Sequence, residues 1–430
     1  MTAGGVREGL TLLRRPNFAK LFAAYLITHT GSAMAPIAIA FGVLELTGST
    51  STAAYVVASP VVAMIIILLV GGTLADRSSR QRIMVRADII SALAQACIAA
   101  LFISGQATVP LLIVLMLING SAVAFHAPSS VGFIPQVVAA HELQAANSLL
   151  GTARSSAFTL GAALAGILVA TVGAGMTLAI DAASFALAAW LIASLTVREQ
   201  VKTEHATILE DLRLGWHEFI AHQWLWTIVV QFAVLVAGVE AVFSLIGPAT
   251  ARDVLDGPRD WGFIMACFGG GTIVGGLLSM RIHVERPMWV ASWLVFLWAP
   301  LPLALSIPLP VVLLACIAFV NGIASQMFGV LWNTTLHTQI PAQLLSRVSA
   351  YDHLGSIALA PLGVVAAGVF YEVIGGPATL WLAALVIIVP TALVLFVPGV
   401  RNLRAHQSMN LDQRYTDSSA RTEPRPATGS

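Results

Sequence analysis

Long apolar segments follow one another along almost the whole chain, and this pattern most constrains what the chain can fold into. Hydrophobic residues make up 57% of the 430 residues and charged residues only 10%, whereas a typical soluble domain carries about 25% charged residues. So many apolar side chains cannot all be buried in a water-soluble core while so few charges cover its surface. The composition therefore predicts a protein that crosses a membrane repeatedly.

Twelve of these segments are long enough to cross the membrane as helices, because a hydrocarbon core of about 30 Å needs about 20 predominantly apolar helical residues. The segments are apolar on all sides and do not alternate as membrane-barrel strands do, so we predict an all-α membrane protein. The predicted spans are residues 18–46, 50–74, 84–104, 108–133, 142–172, 175–196, 221–250, 258–281, 288–307, 308–333, 343–373 and 376–398.

The distribution of Lys and Arg predicts the orientation of these spans. Of the 22 Lys and Arg residues, all but Arg154, Arg252 and Arg259 fall on the side of the two chain ends, and cytoplasmic loops are the ones enriched in cations. We therefore expect a multi-pass protein of the plasma membrane with both termini cytoplasmic. The predicted organisation is a cytoplasmic N-terminus at 1–17, a six-helix bundle at 18–196, a cytoplasmic loop at 197–220 with a surface amphipathic helix at 208–220, a second six-helix bundle at 221–398, and a disordered cytoplasmic tail at 399–430.

The two halves of the chain resemble each other. GGTLADRSSRQRIM at 71–84 aligns with GGLLSMRIHVERPM at 275–288, and Asn119-Gly120 aligns with Asn321-Gly322. Two six-helix repeats joined by a central loop are typical of transporters, with the binding site at the interface between the halves. Small residues allow helices in membranes to approach closely, and we predict this packing role for the paired glycines Gly161, Gly166, Gly363 and Gly368.

Ionisable residues inside the predicted spans are costly to bury and are therefore candidates for a functional role. Histidine exchanges protons near neutral pH, and desolvation moves carboxylates toward that range. Asp181, by contrast, is expected to be a buried, hydrogen-bonded aspartate that braces the bundle. The candidates for proton coupling are His29, Glu240, Asp352 and His353.

Further polar residues in the spans are candidates for lining a substrate cavity. Arg154 lies well inside the fifth span, where a permanent cation needs an anionic partner, water or an anionic cargo. The amide side chains could instead bond neighbouring helices, and the sequence leaves both interpretations open. The cavity candidates are Arg154, Asn119, Gln231, Asn321, Gln326 and Trp332.

Several motifs resemble the major facilitator superfamily. The run G-G-x-L-A-D-R-x-x-R-Q-R after the second span resembles the signature that this superfamily carries between its second and third helices. The stretches ELTGS at 45–49, APSSVGFIPQVV at 127–138, ELQAANSL at 142–149 and IDAASF at 180–185 resemble one branch. That branch holds the enterobactin exporter, macrolide efflux proteins and Tap-like multidrug efflux proteins. The resemblance implies the major facilitator fold, with twelve transmembrane helices in two pseudo-symmetric halves.

The resemblance also implies a role for the charges that follow the second span. In this superfamily the loop aspartate and cations form a relay that holds the halves together in one state, and a helix N-terminus favours an anion such as an aspartate. The alternative is that these cations set topology and contact lipid headgroups. The residues assigned to the gating relay are Asp76, Arg77, Arg80, Arg82 and Asp88.

Two departures concern coupling. Met116 stands where many drug–proton antiporters of the superfamily carry arginine, and the fifth span reads GAALAG at 161–166, without the proline of the antiporter signature. Antiport is therefore implied by the branch and not by these motifs.

We expect a secondary active transporter that exports hydrophobic small molecules, drugs or secondary metabolites, by alternating access coupled to protons. The alternatives are an exporter of anionic cargo such as a siderophore or lysolipid, and a transporter-like receptor or scaffold. The expected partners are the small-molecule substrate, protons and the lipid bilayer, with the protein acting as a monomer. We expect no enzymatic activity, cofactor, metal or nucleic acid, because the sequence contains no metal-ligand spacing, nucleophile elbow or phosphate-binding loop.

Overall fold

The computed structural model describes residues 11–70, 79–196, 208–282 and 284–405, and within these ranges the regular structure is helical. In chain order the α-helices are α1 (Pro16–Thr47), α2 (Thr50–Val70), α3 (Arg80–Ile103), α4 (Val109–Val137), α5 (Leu143–Ala193), α6 (Ile208–Ala221), α7 (Gln223–Ala241), α8 (Gly247–Val254), α9 (Pro258–Ser279), α10 (Pro287–Val295), α11 (Pro300–Leu305), α12 (Val311–Gln339), α13 (Ala342–Ile357), α14 (Ala360–Ile374), α15 (Gly376–Val394) and α16 (Pro398–Arg401).

The described residues form eleven helical stretches that are long and apolar enough to cross a membrane. One of them, α5, has 51 residues, and at 1.5 Å per residue it would extend about 77 Å, more than twice the hydrocarbon thickness. Gly173 breaks it with φ 81° and ψ 169°, values that residues other than glycine rarely adopt. The helix therefore crosses twice, as two limbs before and after Gly173, and the predicted twelve spans are confirmed.

The same break occurs in the second half and confirms the internal repeat. Gly375, between α14 and α15, has φ 85° and ψ 161°. It lies 202 residues after Gly173, the spacing that also separates Asn119 from Asn321. Each half thus turns between its fifth and sixth spans at a left-handed glycine with no loop.

Paired glycines pack equivalent helices together in the two halves. A Cβ atom on Gly161 would lie 2.5 Å from the carbonyl oxygen of Thr30, so α5 touches the backbone of α1. A Cβ atom on Gly363 would lie 2.3 Å from the carbonyl oxygen of Ala237, so α14 touches α7 in the same way. Close approach at small residues provides the van der Waals contact that holds helices together in a bilayer.

The bundle has two faces, which are distinguished by the parts of the chain that lie on them. The terminus face carries the start of α1, and the far face carries the short connections α1–α2, α8–α9 and α14–α15. On the terminus face Arg15 Nη2 pairs with Glu142 Oε1 at 2.6 Å. Desolvation raises the pKa of the Glu142 carboxyl, but the hydrogen bond from Ala139 N and the Arg15 charge outweigh it and hold this pKa below its ordinary value.

Two parts of the terminus face extend beyond the expectation from sequence. The amphipathic helix α6 packs on α13, where the rings of Trp216 and Phe219 lie 5.5 and 6.0 Å from that of Tyr351. At the C-terminus, Val400 and Leu403 are buried in the hydrophobic core of the second half, so ordered packing continues past the predicted boundary at residue 398.

Candidate functional site

A cavity of about 550 Å³ lies between the two halves. Its wall combines α1 and the first limb of α5 with α7, α9, α12 and the turn after α7. Phe158, Phe243 and Phe268 supply aromatic surfaces, with Trp261 buried behind them. Phe268 packs edge-on against both Phe158 and Phe243 at 6.0 and 5.0 Å between ring centres. A mostly apolar wall with a few polar groups is the usual composition of a small-molecule site.

Glu240 brings a carboxylate to this cavity at a break in helical geometry. A π-helical turn at Val242–Ile246 begins two residues later, before Pro248 in α8. Proline lacks the N–H that would continue the regular pattern, and single π turns inside α-helices are frequent at functional sites. The Ser244 hydroxyl donates to the Glu240 carbonyl oxygen at 2.6 Å, which satisfies one of the backbone acceptors at this turn.

His29, Arg154 and Gln326 also line the central cavity, as predicted for cavity or coupling residues. His29 Nδ1 donates to the Tyr25 carbonyl oxygen at 2.8 Å, and its ring stacks on Tyr25 with 3.9 Å between ring centres. This bond fixes the ring and leaves Nε2 as the nitrogen for exchange. Arg154 is exposed to the cavity.

Asp352 lies instead in an aromatic cluster of the second half. Trp332 Nε1 donates to Asp352 Oδ2 at 3.0 Å, and the Trp332 ring stacks with Phe328 and meets Trp224 edge-on. Asp352 and Trp332 are absent from the residues that line the central cavity. His353, next in the chain, is exposed.

The predicted amide residues separate into different environments. Gln231 Nε2 donates to Thr391 Oγ1 at 2.9 Å, so this residue ties α7 to α15. Asn119 lines a side chamber of about 250 Å³ in the first half, which adjoins Glu240. Asn321 lines a smaller chamber of about 120 Å³ in the second half.

The charge relay is described only in part. Asp76 and Arg77 lie outside the described residues. Arg80 donates to the Gly132 carbonyl oxygen, and Arg82 Nε donates to Ser79 Oγ at 2.8 Å. Asp88 Oδ1 lies 3.3 Å from His126 Nε2. These contacts of Arg80, Arg82 and Asp88 lie within the first half, and the relay itself stays a prediction.

The far face joins the two halves through polar contacts that the sequence interpretation did not identify. The Glu372 carboxylate accepts hydrogen bonds from Ser49 Oγ, Ser51 N and Ser51 Oγ at 2.7–2.9 Å. It thereby caps the start of α2, where the helix dipole favours an anion. Arg252 Nη1 donates to the Leu44 carbonyl oxygen at 3.2 Å. The cavity is therefore closed on the far face.

Three polar contacts were not predicted, because each joins residues far apart in sequence. They are the pair of Asp88 with His126, the bond between Gln95 and Asp181, and the capping of α2 by Glu372. The available signal was a polar residue inside an apolar span, which marks a residue but not its partner. The described residues contain no group of three or more His, Cys, Asp and Glu that could hold a metal ion.

Comparison with protein families gives a match over residues 8–422 to the family described as transmembrane secretion effector. The chain is 26% identical over 413 residues to the multidrug efflux pump Tap of Mycobacterium tuberculosis, covering 93% of this chain and 97% of that protein. It is 22% identical over 382 residues to macrolide efflux protein A of Streptococcus pyogenes, covering 83% and 90%.

Solved structures share the fold. The nucleoside transporter NupG matches with a TM-score of 0.67 at 13% identity, covering 88% of this chain and 98% of that chain. A bacterial homologue of the iron transporter ferroportin, in an inward-facing state, matches with a TM-score of 0.65 at 16% identity, covering 87% and 98%. At such identities the likeness concerns the fold alone.

Proposed function

Because the chain belongs to the transmembrane secretion effector family of the major facilitator superfamily, we propose that it exports hydrophobic small molecules by alternating access, driven by inward proton movement. The observation that carries the proposal is the central cavity between the halves, closed on the far face by contacts of Glu372 and Arg252. Alternating access requires such a site at the interface of two repeats. Cargo enters from the terminus face and leaves when the far face opens.

The cavity wall supports hydrophobic or amphipathic cargo. Aromatic side chains of both halves face the space, and its volume of about 550 Å³ suits a drug-sized molecule. The relatives from Mycobacterium and Streptococcus are named as efflux proteins for multiple drugs and for macrolides. We propose the same general class of cargo for this chain, which acts as a transporter without catalysing a reaction.

Glu240 is the best-placed candidate for the proton carrier. It lines the central cavity at the π turn, on the half that must move relative to α1 and α5. A carboxylate that is reached from the terminus face in one state and from the far face in the other can load and release a proton in each cycle. His29 on the opposite wall is the second candidate, and Asp352 and His353 stay candidates outside this wall.

The orientation proposed is cytoplasmic for the terminus face, since Lys and Arg concentrate there. Export then removes cargo from the cytoplasm across the plasma membrane while protons enter. A single chain supplies both halves of the cavity, so the proposed unit is a monomer.

The test is proton flux in inverted membrane vesicles with an acidic interior, followed by a pH-sensitive dye while ethidium is added as a hydrophobic drug. We expect ethidium to release protons from the interior, and Glu240→Gln to reduce this flux by about tenfold or more, because a 1.4 kcal/mol loss already changes a rate tenfold. Glu45→Gln, an exposed acid at the far end of α1, is the matched control and should behave as the unmodified protein. Ethidium uptake without a proton signal would contradict proton coupling.

Arg154 separates the proposal from export of anionic cargo. Since Arg154 faces the cavity, Arg154→Ala should leave ethidium transport within about threefold of the unmodified rate, because a cation gains nothing from a guanidinium. The anionic alternative would be favoured by two results together. The unmodified protein would transport an anionic lysolipid but not ethidium, and Arg154→Ala would lose the lysolipid transport. Transport of both probes is measured in the same vesicles.

A further inference from the structure

A side chamber of about 250 Å³ leads from the central cavity into the first half. The two spaces share Ser32, Pro36, Glu240 and Ser244 in their walls, so they are continuous at Glu240. The inner end of the chamber is formed by Asp181 and Gln95. Asp181 is fully buried, and Gln95 Nε2 donates to Asp181 Oδ2 at 2.9 Å.

Two residues in the wall of the chamber carry buried polar atoms that have no partner within the described part of the chain. Gln95 is 2% exposed and Asn119 is 8% exposed, and both line this space. Gln95 Oε1 and Asn119 Nδ2 make no hydrogen bond to any described residue. Buried polar atoms normally find a partner, and a space of this size is large enough for several water molecules beside its few polar groups. Water that reached these atoms would connect Asp181 with Glu240.

The second half shows that the fold does not require this acid. Asn119, Val123 and Phe185 line the side chamber, and the residues 202 positions later, Asn321, Ser325 and Ile387, line the smaller chamber of about 120 Å³. The two chambers are thus equivalent by the internal repeat. The same spacing pairs Asp181 with Ala383. In α3 the aligned motifs pair Met84 with Met288, and the same spacing of 204 positions pairs Gln95 with Ala299.

An acid that only braced the bundle would serve equally in both halves, yet one half packs this position with alanine. Burying an aspartate in a membrane protein is costly, and the first half bears this cost beside a space that reaches the central cavity. The groups that face Asp181 are Gln95 on α3, Ser184 on its own helix and the Gly31 backbone of α1. The ionisable group across the chamber is Glu240, and the Asp88–His126 pair lies two turns before Gln95 on α3.

We propose that the side chamber is a second binding station for the coupling cation, which passes between Glu240 and Asp181. The inference rests on the proposed function. Full burial of Asp181 admits only a small inorganic cation, a proton or a sodium ion, and excludes the ammonium group of a drug. In this scheme Glu240 exchanges with the central cavity, and Asp181 holds the cation while cargo occupies that cavity.

The test uses no cargo, so its outcome is independent of which molecules are exported. Infrared difference spectra of the full chain in lipid nanodiscs, recorded between acid and alkaline pH, report the carbonyl stretch of protonated carboxylic acids. We expect one titrating band to be lost in Asp181→Asn. In Glu240→Gln the remaining Asp181 band should titrate about 1 pH unit lower, because coupled acids in one site influence each other on that scale. Asp256→Asn, an exposed far-face acid, is the control and should leave the band unchanged.

The identity of the cation follows from a second arm at fixed pH. If sodium chloride, but not choline chloride, removes the Asp181 band, the station binds sodium; if neither does, it binds protons. Absence of a titrating Asp181 band, or a band that ignores Glu240→Gln, would overturn the proposal while leaving drug export intact. If Asp181→Asn does not fold, Asp181→Glu replaces it, and a shift of the same band provides the assignment.

Discussion

Replacing Gly166 with leucine is expected to abolish transport while the protein remains folded. Gly166 on α5 touches α9 of the other half, where an added Cβ atom would lie 2.8 Å from both Gly262 Cα and the Pro258 carbonyl oxygen. A larger side chain keeps the halves apart at the far face and so removes the closed state. We expect drug transport to fall by at least about tenfold, the effect of roughly 1.4 kcal/mol on one step. Transport is measured as ethidium flux in inverted vesicles.

The control for this variant is Gly151→Leu in the same helix, since nothing among the described residues lies within 4 Å of a Cβ atom at Gly151. Opening of the far face is monitored with a single cysteine. Serine first replaces Cys97, Cys267 and Cys316, and cysteine then replaces Met265, which lines the central cavity. An impermeant maleimide applied from the far face should label it faster in Gly166→Leu. Normal transport, or unchanged labelling, would contradict the assigned closure.

The largest loss of stability is expected from Gly322→Leu. A Cβ atom on Gly322 would lie 2.0 Å from the Phe268 carbonyl oxygen and 3.0 Å from Thr272 N, so α12 contacts the backbone of α9. Backbone cannot move aside as a side chain can, and overpacking costs up to about 3 kcal/mol even where side chains yield. We expect little folded protein in detergent and a much lower melting temperature, measured by fluorescence-detected size exclusion after heating.

Gly329→Leu, two turns later in the same helix, supplies the comparison. No described residue lies within 4 Å of a Cβ atom at Gly329, so this variant should fold at normal yield. Equal yields and melting temperatures for Gly322→Leu and Gly329→Leu would mean that the α9–α12 contact does not support the fold.

Much of the fold could be predicted from sequence, because the bilayer imposes simple rules on length and polarity. Apolar segments of about 20 residues indicate spans, and the repeated glycines indicate two equivalent halves. The left-handed breaks at Gly173 and Gly375 confirm that pairing. What the sequence could not indicate was that α5 continues through its break without a loop, since this depends on the backbone angles of Gly173.

The candidate site was less predictable, because polar partners in a helical bundle depend on the rotation of each helix. Glu240 could be selected as a carboxylate inside a span, but its position at the junction of two cavities follows from the π turn after it. Asp352 has the same sequence signal, yet the Trp332 indole holds it in the aromatic cluster. Glu372 carries the same signal near the end of its span, but nothing in the sequence pointed to Ser49 and Ser51 as its partners in the other half.

The most direct test of alternating access is a pair of distances measured by pulsed electron spin resonance on spin labels in nanodiscs, with the native cysteines replaced by serine. One pair of labels stands on exposed far-face positions of the two halves, Leu46 and Val254, and the other on Val131 and Asn333 toward the terminus face. As pH is changed in the presence of ethidium, the far-face distance should lengthen while the terminus-face distance shortens. If both distances stay fixed, or both change in the same direction, the halves do not rock about the central cavity and alternating access is wrong for this protein.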